Sequence, residues 1–347
     1  MFDVYATMGP RLVLSQVAAH AQRAEALGYD GLAVPEAVHD GLLAAAMALH
    51  ATTRLKVATS VLVAFPRSPM TVAHAAWDLR EAFQGRFGLG LGSQVRGNIV
   101  GRYSTPWSAP VPRMREYVRA LRAIFDCWQH GTALRFEGTH YQLTRMQPFF
   151  NPGPLEYPSI PIFLGGIGRS MTALAGEVAE GLMTHPTNTS PRYVREVVRA
   201  QLEKGAARAG RAASTVRVMV SPLIATGTSR EAARAEREQA RQLLAFLYST
   251  PLYWPSLDLF GWKDRGERLH QLSREERWQE MPALVSDDML DAVVPTAPYP
   301  EIAGVLEEWY GTLSDWIAFP MPADPAHDRD VAAVVARLRQ GKGGQTR

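Results

Sequence analysis

Residues 85–94 read Gly85-Arg86-Phe87-Gly88-Leu89-Gly90-Leu91-Gly92-Ser93-Gln94. Apolar residues alternate with glycines at 88, 90 and 92, which is the two-residue period of a strand. Interior glycines weaken a strand, because they give no side chain to pack and lose the most entropy on ordering. Such a strand marks either a tight corner or bulge of a barrel, or a place where something large and flat lies against the backbone. Two further stretches, 55–66 and 160–176, fall at strand ends in the same repeating pattern and favour the second explanation.

Outward from this strand the chain alternates. Strands are expected at 2–8, 31–35, 55–63, 86–92, 160–164, 181–184, 215–225 and 315–319. Helical spacing of apolar residues is expected over 12–27, 41–51, 69–83, 112–130, 169–180 and 191–210, and Gly28 stops the first of these helices. Repeated βαβ units imply parallel strands with right-handed crossovers. Eight of them give the fold class: α/β, a (β/α)8 TIM barrel. A small hairpin is expected around Glu137-Gly138, outside the repeat. The spacing between 229 and 312 is too long for one crossover, so a helical and aromatic insertion is expected there, between strands 7 and 8 of a single domain over 1–347. The polar tail from 324 is expected to fray after a short helix. A doubly wound open sheet would want G-x-G-x-x-G after the first strand, and Met8-Gly9-Pro10-Arg11 does not match it.

The chain has 347 residues, 46% hydrophobic and 20% charged, which is ample for a large core. A net charge of +3, scattered along the chain, gives no basis for nucleic-acid binding but suits a pocket for an anionic ligand. The one cysteine, Cys127, excludes an intramolecular disulfide framework and reads as buried packing rather than a nucleophile. No leader and no bilayer-spanning run is recognisable, so a cytoplasmic protein without membrane association is expected.

In parallel barrels the site lies at the C-terminal ends of the strands. After strand 2, Glu36 and His39 are a carboxylate and an imidazole that could serve as proton donor and orienter. Equally, Glu36 or Asp40 could cap the next helix and leave His39 at the surface. After strand 3, Ser60 has no visible base, and the G-x-S-x-G elbow is absent. After strand 4 come Gly92, Ser93, Gln94 and Asn98, which can hydrogen-bond but carry no acid. After strand 5, Gly165-Gly166-Ile167-Gly168-Arg169 opens a helix, and backbone N–H groups there can cradle a phosphate. The nine histidines show no H-x-x-x-H or H-E-x-x-H spacing, so no metal is expected. Paired strand-end carboxylates of the glycosidase kind are also missing. What remains suits a barrel whose cofactor supplies the chemistry.

Together these residues resemble the bacterial luciferase-like superfamily of flavin- and deazaflavin-dependent oxidoreductases, most closely the branch using coenzyme F420. The motifs carrying the resemblance are Gly28-Tyr29-Asp30-Gly31, Thr59-Ser60-Val61-Leu62, the glycine strand from Gly85, and Arg113-Met114-Arg115-Glu116-Tyr117. Gly165-Gly166-Ile167-Gly168-Arg169-Ser170-Met171 and Ala175-Gly176-Glu177-Val178-Ala179-Glu180-Gly181 complete them. The resemblance implies a tricyclic ring at the barrel mouth, supported by a bulge with a cis Ser60–Val61 peptide. It also implies a phosphate on Gly165, Gly166, Gly168 and Arg169, and contacts from Gly92, Ser93, Gln94 and Asn98. Sugar-phosphate dehydrogenases of the group carry an acid directly beside the histidine and a glutamate past the glycine strand. Here Ala37 and Val38 intervene between Glu36 and His39, and Val95 stands at the second position.

The implied activity is hydride transfer between F420 and a small organic substrate, with His39 and Glu36 as catalytic candidates. The alternative is an FMN-dependent monooxygenase fed reduced flavin by a separate reductase. A homodimer is expected by the same resemblance. The aromatic residues Tyr253, Trp254, Phe260 and Trp262 point to a larger, more apolar substrate or to simple packing.

Overall fold

All eight expected strands form, in a computed structural model that describes residues 2–340: β1 (Asp3–Thr7), β2 (Gly31–Val34), β3 (Lys56–Thr59, resuming at Leu62–Val63), β4 (Phe87–Gly92), β5 (Ile162–Gly165), β6 (Gly181–Met183), β7 (Arg217–Val220) and β8 (Trp316–Phe319). Each pairs in parallel with the next, and β8 returns to β1, so the sheet closes into a (β/α)8 barrel. The outer helices are α1 (Leu14–Ala26), α2 (Gly41–His50), α3 (Pro69–Ala82), α4 (Pro110–His130), α5 (Arg169–Val178) and α6 (191–208, with a π segment over Val194–Arg199). Local chemistry sets their ends. Asp40 caps α2 through the Leu42 and Leu43 N–H groups, at 2.9 and 3.0 Å. Ser68 caps α3, with Pro69 at its first position, and Gly131 closes α4 in the left-handed region at φ 65°. The hairpin forms from Phe136–Glu137 and Gln142–Leu143.

The barrel interior is filled largely by aromatic side chains. Tyr5 stacks on Trp316 at 4.8 Å, Phe163 meets Trp316 edge-on at 4.8 Å, and Met183 and Met219 complete the layer. Arg217 lies 4.3 Å from the Trp316 ring and pairs with Asp3 at 2.5 Å.

This interior corrects the explanation given above for the glycine strand. A Cβ at Gly88 would stand 3.2 Å from the Phe163 ring, one at Gly90 1.9 Å from the Thr59 carbonyl oxygen, and one at Gly92 2.5 Å from Val61 Cγ2. The large, flat neighbour of Gly88 is the barrel's own aromatic filling. The neighbour of Gly90 and Gly92 is the backbone and side chain of β3.

Between 229 and 312 the chain forms α7 (Arg230–Tyr248), α8 (Pro255–Phe260), α9 (Lys263–Arg274), α10 (Asp287–Val293) and α11 (Tyr299–Tyr310). The first four share a small core around Leu244, Tyr248, Leu257, Leu269 and Met289, whereas Ile302 and Leu306 of α11 belong to the barrel's core. The short helix expected in the tail forms as α12 (Asp328–Arg339) and is docked on the barrel, while the fraying expected after it falls on residues outside the described chain. Val331, Val334, Val335 and Leu338 of α12 are buried in that core, and Arg339 pairs with Asp30 at 3.0 Å. An apolar stripe at helical spacing outweighs the polar composition there. Residues 341–347 lie outside the described chain. No helix among the described residues is long and apolar enough to cross a membrane.

Candidate active site

The mouth is shaped by an interruption in β3. Ala58 aligns with Gly88 and Leu62 with Leu91, so β3 uses one residue more than β4 between these pairs. The Thr59 hydroxyl bridges the gap: it donates to the Gly90 carbonyl at 2.8 Å and accepts from the Gly90 N–H at 2.9 Å. Ser60 N–H donates to the Val34 carbonyl at 2.6 Å. The Ser60–Val61 peptide is cis, as the resemblance implied. Val61 packs against the backbones of Gly92 and Gly165, where a Cβ would approach it to 2.5 and 3.0 Å. The three residues make a low, side-chain-poor floor on one side of the mouth.

Glu36 is held by the same loop. Its carboxylate accepts from the Val63 N–H at 2.6 Å and from both Arg67 guanidinium nitrogens, at 2.6 and 3.0 Å, and its side chain is 6% exposed. Arg67 also reaches Asp40 at 2.7 Å. Burial alone would raise the Asp40 carboxyl, but the Leu43 N–H, Arg67 and the Leu42 N–H outweigh it and hold it below the usual range. Glu36 therefore carries a bulge-fixing ion pair, and the helix cap falls to Asp40. His39 lies between them, half-buried, without a side-chain hydrogen bond among the described residues.

The loop after β4 fixes itself. Gln94 sits in the left-handed region at φ 57°, and its Oε1 accepts from the Val95 N–H at 3.0 Å and the Asn98 amide at 3.1 Å. Ser93 Oγ donates to the Gln94 carbonyl at 3.3 Å. A π turn over Asn98–Arg102 follows, and Arg102 donates to the Ala37 carbonyl at 2.5 Å, tying this loop to that of His39.

The glycine turn after β5 is organised from behind. The Asn188 amide donates to the Gly166 carbonyl at 2.9 Å, and the Tyr193 hydroxyl donates to the Ile167 carbonyl at 3.1 Å. With both carbonyls turned back, the N–H groups of Gly168, Arg169, Ser170 and Met171 at the start of α5 are left without acceptors among the described residues. Gly168 has open space where a Cβ would stand, and Arg169 is exposed beside the turn. A phosphate fits this set of donors. Asn188 and Tyr193 were not singled out from the sequence, because their partners are some 22 to 26 residues away.

The opposite side of the mouth carries polar groups. The interior layer contains Tyr5, Met183 and Met219, so strand alternation places Thr7, His185 and Ser221 one layer higher on the same face. His185 follows β6 in extended conformation and lies flat on Tyr253, with ring centroids 4.6 Å apart and planes at 10°. Burial lowers its pKa to about 4, so the ring is neutral at ordinary pH. The strand-end rule would have found it, had it been applied to the sixth strand as well as the second to fifth. Of the insertion's aromatic residues, Tyr253 reaches this loop directly. Trp254 donates to the Tyr248 carbonyl at 2.7 Å, and Phe260 stacks on Trp262 at 4.5 Å.

The chain that folds into this barrel matches the family model of the luciferase-like monooxygenases over residues 2–315. The chain belongs to that family. An uncharacterised protein of Mycobacterium tuberculosis is 42% identical over 295 residues, covering 84% of this chain and 86% of its own length. A 5,10-methylenetetrahydromethanopterin reductase of Archaeoglobus fulgidus is 26% identical over 249 residues, 69% of each chain. The solved coenzyme F420 dependent tetrahydromethanopterin reductase from Methanopyrus kandleri shares the fold, with a TM-score of 0.80 over 98% of this chain and 99% of that one at 16% identity. Relatives and structural neighbours in this family of oxidoreductases include F420-dependent dehydrogenases and monooxygenases, one of the latter solved with FMN.

Proposed function

We propose that this luciferase-like oxidoreductase uses coenzyme F420 to move a hydride to or from an organic substrate. The observation that carries the proposal is the glycine turn with its carbonyls held by Asn188 and Tyr193, beside the Val61–Gly92–Gly165 floor. The phosphate end of the cofactor would rest on the N–H groups of Gly168 and the first turn of α5, with Arg169 adding charge. The ring would face Val61, with Ser60, Ser93, Gln94 and Asn98 along its polar edge. When bound, F420 supplies a carbon centre that takes or gives two electrons as hydride and does not activate oxygen as a flavin does.

His39 is assigned the accompanying proton, and Glu36 acts by holding the β3 bulge through Arg67. Turnover that survives His39→Ala would remove that assignment. The FMN monooxygenase alternative draws its support from the FMN-bound neighbour, and would require a reductase partner.

Titration of the purified protein with F420 and with oxidised and reduced FMN separates the two. Micromolar or tighter F420 binding, with FMN much weaker, is the expected result. Preference for reduced FMN with oxygen uptake would overturn it, and binding of neither would remove the phosphate assignment.

A further inference from the structure

We propose that His185 is a substrate-binding residue, donating its Nε2–H to the oxygen of an uncharged carbonyl or alcohol substrate at the barrel mouth. The proposal rests on the hydride-transfer function above and adds the substrate class and its recognition.

The tautomer follows from the partners. Nδ1 accepts from the Thr187 N–H at 3.4 Å and faces the Thr187 hydroxyl at 2.9 Å. An Nδ1 that accepts leaves the proton on Nε2 in a neutral ring. Nε2 has no partner among the described residues and is not one of the sealed, unpartnered polar atoms. The ring is packed and its backbone is anchored. Tyr253 covers one face, and the His185 N–H is pinned to the Asn188 side chain at 2.7 Å. That same Asn188 holds Gly166, so the donor is mechanically continuous with the proposed phosphate turn.

Its direction comes from the strand. Met183 points into the barrel interior, and two residues on, in extended backbone, His185 occupies the same face at the open end. Burial is the cause of its lowered pKa, and no charged side chain contributes to the shift. A neutral donor without a charged neighbour discriminates for an oxygen acceptor and against its hydrocarbon analogue. A half-buried N–H that loses its water must regain a hydrogen bond. Where hydride passes between an alcohol and a carbonyl, the reacting carbon bears such an oxygen.

The test uses the full-length protein labelled with 15N-histidine, without cofactor and loaded with F420, with cyclohexanone and methylcyclohexane as probes. Long-range 1H–15N spectra assign the His185 ring by its disappearance in His185→Gln. Cyclohexanone should shift the Nε2 resonance in both samples while methylcyclohexane leaves it in place. In the loaded protein, His185→Phe should weaken cyclohexanone binding about tenfold, with part of that recovered in His185→Gln, and F420 affinity should be unchanged in both. Equal responses to the two probes, an Nδ1-protonated ring, or no response to cyclohexanone would overturn the proposal. A shift of Nε2 on adding F420 alone, with lowered F420 affinity in His185→Phe, would assign the donor to the cofactor instead. Failure of wild-type protein to bind F420 would strike the deazaflavin function and leave the cofactor-free arm to decide on His185.

Discussion

Replacing Gly92 by alanine sets a new methyl 2.5 Å from Val61 Cγ2, with Val61 Cβ behind it at 3.5 Å. Ordinary carbon contacts begin near 3.4 Å. The valine must therefore retreat by about 0.9 Å. Overpacking of this kind costs about 1–3 kcal/mol, and in a chain of this size it lowers the melting temperature on the order of 5 °C. Truncating the obstacle tests the cause. In Val61→Ala the clashing Cγ2 is gone and the alanine methyl meets only Cβ at an acceptable distance. The double variant Val61→Ala/Gly92→Ala should then lose less than the sum of the two single losses, with a coupling of about 1–2 kcal/mol. Thermal or urea unfolding of the four proteins gives the cycle. F420 titration of the same set should find the Gly92→Ala site weakened by about tenfold or more, because the floor under the ring has moved. Strictly additive losses, or a Gly92→Ala protein as stable as the parent, would refute the account of why β4 carries glycine there.

The buried ion pair should behave asymmetrically: Arg67→Met leaves the enclosed Glu36 carboxyl group without its cationic partner and should cost about 3–5 kcal/mol in urea unfolding, whereas adding Glu36→Gln should restore part of that loss. His185 makes stability pH-dependent. Its folded pKa near 4 lies below the ordinary value near 6.5, so its contribution is complete above pH 6.5 and is lost as pH falls toward 4. The unfolded chain takes up the proton there and the folded chain does not, at about 1.4 kcal/mol per pH unit at most; His185→Gln should flatten that part of the stability curve. Asn188→Ala and Tyr193→Phe should each weaken F420 binding by about tenfold while leaving binding of the phosphate-free deazaflavin core nearly unchanged. Equal losses for both ligands would show that these residues hold the turn in some other role.

Much of what made the family recognisable in the sequence turns out to be scaffold. Arg86 donates to the Leu49, Thr52 and Leu55 carbonyls, Arg115 pairs with Glu177 at 2.8 Å, and Glu116 accepts from the His140 N–H at 2.7 Å. Gly176 and Gly205 let α5 and α6 touch, since a Cβ there would lie 2.2 and 1.7 Å from facing carbonyl oxygens. The glycine turn after β5 and the β3 bulge were legible because each is a short run of contiguous residues in a distinctive order. The Glu36–Arg67 ion pair and the stacking of His185 on Tyr253 were not.

The sequence by itself determined the number of strands, their parallel order and the end of the barrel where chemistry can occur. Those follow from periodicities of two and 3.6 residues, which a chain carries locally. Only the tertiary structure decided what each special residue touches. Whether Gly92 makes room for a ligand or for Val61 depends on the register of β3 against β4 around a bulge. Whether a strand-end carboxylate does proton chemistry depends on Arg67 standing within 2.6 Å of it. Partners that meet only after the sheet closes leave no periodic trace in the chain, and the burial that lowers the His185 pKa arises in a fold where Tyr253, 68 residues downstream, lies flat on its ring.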